Sequence, residues 1–86
     1  MTEGSGVPTA EAVLGHVVRS IVDAPEAVQV TSEEGSRGKV RLEVRVGEGD
    51  LGRVIGRRGR TAQSIRAVVR AAAARDGADV DVEFED

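Results

Sequence analysis

The sequence predicts an α+β fold in the order helix, strand, strand, helix, helix, strand, with a three-stranded sheet and its helices packed on one face. Two hydrophobic periods carry that expectation: apolar residues recur at helical spacing in the helical stretches and alternate with polar ones over three short stretches. Size is the third observation. At 86 residues the chain can close one modest core and no second one. With 40% hydrophobic and 31% charged residues, its composition is that of a globular domain rather than a disordered segment.

Residues 1–8 contain Gly, Ser and Pro without periodicity and are expected as a disordered lead, which places a single domain at 9–86. Thr9 is the candidate cap of the first helix, where Val13, Leu14, Val17, Val18 and Ile21 share a face and Glu11, His16, Arg19, Ser20 and Asp23 lie elsewhere. Pro25 ends it. Val28 and Val30 alternate with Gln29 and Thr31 as a first strand, and residues 33–38 form a turn. Val40, Leu42, Val44 and Val46 alternate with Arg41, Glu43 and Arg45 as a second strand, antiparallel to the first, with one buried face.

A short helix over 50–55, capped by Asp50, is broken at Gly56. A longer helix over 61–74 turns Ile65, Val68, Val69 and Ala72 inward, while Gln63, Arg66 and Arg70 form another stripe. Asp76 and Gly77 end it. Val80, Val82 and Phe84 then alternate with Asp79, Asp81, Glu83 and Glu85 as a last strand whose outer face is wholly acidic.

Several function classes fall away. Without cysteine there is no disulfide framework, thiol nucleophile or cysteine zinc site, and His16 is the only histidine. No apolar run approaches the roughly 18 to 20 residues that span a bilayer, and the opening residues lack the basic and hydrophobic regions of a signal peptide. The expected location is the cytoplasm. Phe84 is the only aromatic residue, which excludes the RRM and cold-shock modules that bind bases on a platform of rings.

The net charge of −3 hides a segregation. Residues 51–75 hold seven arginines and no acid, whereas the remainder holds five bases and fifteen acids. Such asymmetry marks a local anion-binding surface on an acidic body. Eleven of the twelve bases are arginine, which suits bidentate contact with phosphate.

Within that block stands Val54-Ile55-Gly56-Arg57-Arg58-Gly59-Arg60-Thr61. Two glycines three apart let the backbone turn sharply and allow a sugar-phosphate chain to approach it. The long helix begins behind Gly59, so its unpaired N–H groups face whatever anion the loop holds. Arg57 and Arg58 project from the tip.

A G-x-x-G between two helices in this element order resembles the KH domain, whose GXXG loop clamps nucleic-acid backbone. From about Ala12 to Glu85 the chain is similar to the KhpA family of small bacterial single-KH-domain RNA-binding proteins. The similarity lies in Ile21-Val22-Asp23-Ala24-Pro25, in Val28-Gln29-Val30, in residues 50–60 and in Ile65-Arg66 through Ala73. It implies a type II KH fold, single-stranded RNA binding without catalysis or cofactor, self-association, and pairing with a larger KH protein, KhpB. It also implies a role as an RNA chaperone or post-transcriptional regulator touching cell-wall synthesis and cell shape. The expected RNA-contacting set is Gly56, Arg57, Arg58, Gly59, Arg60, Arg53, Val54, Ile55, Thr61, Ile65 and Arg66, with Val54, Ile55 and Ile65 flooring a groove for bases.

Other readings are weaker. Gly47-Glu48-Gly49-Asp50-Leu51-Gly52 matches a dinucleotide fingerprint, but Glu48 and Asp50 would set carboxylates against a pyrophosphate, and the chain is too short for two βαβ halves. Gly59-Arg60-Thr61 has Val54 where a P-loop needs its first glycine. The acids of residues 79–86 splay along a strand and are expected as a solvated edge rather than a metal site. The rival from another class is an interaction subunit that dimerises and supports a partner's RNA binding.

Overall fold

The hydrophobic periods of the chain become elements close to their expected places. The computed structural model describes residues 6–86, in the order α1 (Pro8–Ile21), a 3-10 turn (Pro25–Ala27), β1 (Gln29–Glu34), a 3-10 turn (Ser36–Gly38), β2 (Lys39–Arg45), α2 (Leu51–Ile55), a 3-10 turn (Arg57–Gly59), α3 (Arg60–Arg75) and β3 (Asp79–Glu85). This is the helix and strand order of a type II KH domain.

Pro8 opens α1, where its fixed φ and missing N–H suit the first helical position. Val7 precedes it and is fully buried, so the fold already includes the last positions of the expected lead. Residues 1–5 of that lead lie outside the described residues. Thr9 is therefore inside the first turn and not its cap. The N–H groups of Thr9 and Ala10 donate instead to the Asp76 carboxylate, at 3.1 and 3.0 Å, from the far end of α3. Partial desolvation pushes the Asp76 carboxyl up, but the hydrogen bonds from Ala10 and Thr9 outweigh it and hold its pKa below the usual value.

Asp50 is a second long-range tie. It stands just before α2, yet its side chain caps none of that helix's N–H groups. Its two oxygens accept from the N–H groups of Asp23 and Ala24, both at 3.1 Å, and so hold the turn that follows α1. At 3% exposure this is the buried charge among the described residues, and its acceptors are used.

The sheet order is β1-β2-β3. β1 runs antiparallel to β2 with Val30 opposite Val44, and β2 runs parallel to β3 with Leu42 opposite Val82. A parallel pair needs a crossover, which α2 and α3 provide. Val40, Leu42, Val44, Val80 and Val82 bury one face of the sheet against Leu14 and Val18 of α1 and Ile65, Val69 and Ala73 of α3. Val68, expected inward, is 50% exposed. At 3.6 residues per turn it lies roughly 90° from the centre of the face made by Ala62, Ile65, Val69, Ala72 and Ala73.

The other face of the sheet is a lattice of ion pairs rather than a plain solvated acidic edge. Lys39 meets Asp79 and Asp81 at 3.9 and 3.6 Å, Arg41 meets Glu33 at 2.7 Å and Glu83 at 3.7 Å, and Arg45 meets Glu85 at 3.0 Å. Being exposed, each pair contributes little to stability alone. No helix among the described residues is long and apolar enough to cross a membrane.

Candidate nucleic-acid interface

The loop between α2 and α3 is shaped by three residues of positive φ in four. α2 ends where the Gly56 N–H donates to the Gly52 carbonyl, and the Gly59 N–H then donates to the Gly56 carbonyl at 3.1 Å, closing the turn. Gly56 has φ 75° and ψ 175°, a region that only glycine occupies readily. Gly59, at φ 72° and ψ 13°, is left-handed, and a Cβ there would meet nothing within 4 Å. Between them Arg58 holds φ 58° and ψ 24° without being glycine, a strain of about 1 kcal/mol. Arg37, in the turn between β1 and β2, holds nearly the same conformation at φ 59°, so both tight turns carry a left-handed arginine.

Arg57, Arg58 and Arg60 are exposed and line a shallow cavity of about 230 Å³. Among the described residues none of the three has a carboxylate within 4.0 Å, whereas Lys39, Arg41, Arg45, Arg53 and Arg70 each do. No side chain caps the first turn of α3, and no acid lies in it. The Arg60 N–H is taken by the Arg57 carbonyl, and the N–H groups next in the first turn face the loop that carries the unpaired guanidinium groups, an arrangement suited to an anion.

The remaining residues of the expected set fall into three places. Thr61 is half-buried and packs over Gly56. Arg53 is drawn away from the loop, with Nη2 2.9 Å from Asp23 and Nε 3.5 Å from Asp50. Val54 and Ile65 are sealed in the core at 0% and 3% exposure, so Ile55, half-buried, is the member of the expected apolar floor that reaches the surface. Val54 and Ile65 instead anchor the two helices that hold the loop.

Arg66 is half-buried at the uncovered edge of the sheet. Its Nε donates to the Val82 carbonyl at 3.2 Å, and its guanidinium lies 5.1 Å from the centre of the Phe84 ring. Sequence reasoning placed Arg66 on a polar stripe and Val82 and Phe84 on a strand without joining them. No signal in the sequence joins them, because β3 leaves carbonyl groups for a neighbouring helix to satisfy only through its edge position in the sheet, which strand order decides.

The competing motifs have structural occupations. Gly47 packs beside Ala24 and Ala27, and the inward Asp50 carboxylate occupies the place where a dinucleotide fingerprint would need a free backbone cradle. His16 is exposed on α1. Glu43, Glu83 and Glu85 approach within 4.8 Å of one another on the outer sheet face, beside Arg41 and Arg45.

Comparison with known proteins agrees with this architecture. The family model described as KhpA/KhpB, KH domain, matches residues 11–84. A protein of Leifsonia xyli named RNA-binding protein KhpA is 53% identical over 73 residues, which cover 85% of this chain and 92% of that protein. Its namesake in Streptomyces coelicolor is 55% identical over 65 residues, covering 76% of this chain and 81% of the other. One in Clostridium acetobutylicum is 41% identical over 72 residues, covering 84% and 95%.

Proposed function

The chain belongs to the KhpA/KhpB KH-domain family, and from that premise we propose that it binds single-stranded RNA, gripping the backbone at the loop Gly56-Arg57-Arg58-Gly59. The observation that carries this reading is the set of unpaired arginines, Arg57, Arg58 and Arg60, beside the uncapped start of α3. The relatives are named as RNA-binding proteins, and no catalytic step is assigned to this chain. Gly56 and Gly59 open the backbone, Arg57, Arg58 and Arg60 neutralise phosphates, and Ile55, Thr61 and Arg66 border the strand's path. Arg53 lies farther out, held by Asp23. The test is fluorescence anisotropy with a labelled single-stranded RNA: binding by the wild type and its loss in folded Gly59→Asp are expected. Equal affinity of the two proteins would remove the loop from the interface.

The loop spans only a few nucleotides, so one copy binds weakly and the working unit is a homodimer or a pair with a larger KH protein such as KhpB. Joining two weak sites makes the second contact intramolecular and raises affinity about a hundredfold or more. Val68, the large apolar side chain left exposed on α3, is a natural place for such a contact and equally supports the rival role as an interaction subunit. The same reading places the chain in the cytoplasm as an RNA chaperone or post-transcriptional regulator with effects on cell-wall synthesis and cell shape. Deletion of its gene followed by RNA profiling and microscopy tests that assignment.

A further inference from the structure

We propose that Arg66 reads a base, favouring cytosine or guanine over uracil or adenine in the nucleotide that lies along β3. This role rests on the proposed RNA binding, with the strand gripped at the loop running on beside α3 and β3. Arg66 stands six residues after Arg60, about 9 Å farther along the α3 axis, so it lies beyond the arginines available to phosphates. Its plane is held on two sides, by the Nε–H bond to the Val82 carbonyl at 3.2 Å and by the Phe84 ring at 5.1 Å. Guanidinium carries five N–H donors, and those on the two Nη atoms have no hydrogen-bond partner among the described residues. A half-buried, oriented fork with its outer donors unused is thus set beside an open strand edge.

The chemistry of that fork selects its ligand. Two parallel N–H donors require two adjacent acceptors. Guanine offers O6 and N7, and cytosine offers O2 and N3. Uracil places the N3–H donor between its two carbonyls, and adenine sets an amino group beside N7 and beside N1, so neither presents such a pair on those edges. Single-stranded RNA exposes the Watson–Crick edge that cytosine needs. A loss of one bidentate pair changes affinity by about fivefold or more.

Octacytidylate and octauridylate make the cleanest test, because they carry the same number of phosphates and differ in the acceptor pattern of the base. The wild type is expected to bind the cytidine oligomer about fivefold or more tightly than the uridine oligomer at the same salt. Arg66→Lys keeps the charge and removes the planar fork, so the ratio of cytidine to uridine affinity should fall toward one, with most of the loss on octacytidylate. Phe84→Leu, which leaves the guanidinium but removes the ring that orients it, should lower the ratio part of the way. Circular dichroism establishes that each variant is folded. Equal binding of both oligomers by the wild type would overturn the base-reading role and leave RNA binding standing. Equal weakening of both oligomers in Arg66→Lys would make Arg66 a phosphate contact and overturn it too. No binding of either oligomer would remove RNA binding and this role together.

Discussion

Thr61 lies directly over Gly56: a Cβ built on the glycine would collide with the threonine hydroxyl and its Cβ and come to 3.0 Å from its backbone nitrogen. The two glycines of the loop therefore respond differently to substitution. Gly59→Asp puts its carboxylate into open space in a left-handed conformation that Asp tolerates, at a cost of about 1 kcal/mol. Gly56→Asp adds a steric clash to a region nearly reserved for glycine and should cost roughly 2–5 kcal/mol. Chemical denaturation and RNA titration should show Gly59→Asp folded and defective in binding, and Gly56→Asp defective in both.

The loop arginines should govern the salt dependence. If about three phosphates are neutralised on a single strand, log affinity falls with log salt at a slope near −2. Arg57→Ala with Arg58→Ala should flatten it by about one to one and a half units. Arg41 is held by Glu33 and flanked by Glu83, which raise its pKa, and Arg41→Ala should leave the slope unchanged. Titrations at four or more salt concentrations separate the two variants.

Asp50→Asn keeps the shape but turns one acceptor into an amide donor facing the N–H of Asp23 or Ala24. A buried donor left unpaired costs about 1–3 kcal/mol. The denaturation midpoint should fall accordingly, and because Asp50 adjoins α2, amide exchange should quicken in both the turn after α1 and the short helix.

Asp76 links stability to pH. Its folded pKa is depressed, so its contribution is present above the unfolded carboxyl value and is lost as pH falls through the lower folded value. Asp76→Asn should lower the melting temperature at neutral pH and should narrow the difference from the wild type in strong acid. A difference independent of pH would assign the effect to packing alone.

Self-association should depend on Val68. Light scattering at micromolar concentration should find a dimer in the wild type and a monomer in Val68→Lys, since a charge in a desolvated contact is unfavourable. RNA long enough to span two loops should bind the dimer about a hundredfold more tightly than a tetranucleotide, and the monomer should lose most of that gain.

Element order, the paired strands and the two long helices are legible in the sequence because their hydrophobic periods repeat over several residues. The G-x-x-G loop is legible for a different reason: positive φ at Gly56 and Gly59 demands glycine locally. Asp50 is misread by local rules because it adjoins the start of a helix, where the nearest N–H groups are the natural partners, and Asp76 is read only as the end of α3, where the neighbouring free groups are carbonyls that a carboxylate cannot accept from. The N–H groups they actually receive are 27 and 67 residues away in sequence, a relation set by packing. Val68 is misread because i+3 spacing tolerates a wide arc and the true face is centred elsewhere. The Arg66 contact depends on which edge of β3 stays open, and strand order is not written in any single strand.

The outer face of the sheet carries a further consequence through its acids. Glu33, Glu43, Asp79, Asp81, Glu83 and Glu85 share the solvent side of the sheet with Lys39, Arg41 and Arg45, six acids against three bases, while Arg57, Arg58 and Arg60 stand on the α2–α3 loop without counter-ions among the described residues. The molecule is therefore a permanent electric dipole as well as a net anion. In the field of a polyanion such a body experiences a torque that rotates its arginine end forward before contact, so encounters are pre-oriented even though the total charge opposes approach. Long-range repulsion and short-range alignment have different dependences on ionic strength. Association should consequently pass through a maximum in rate as salt first screens the net charge and then the dipole.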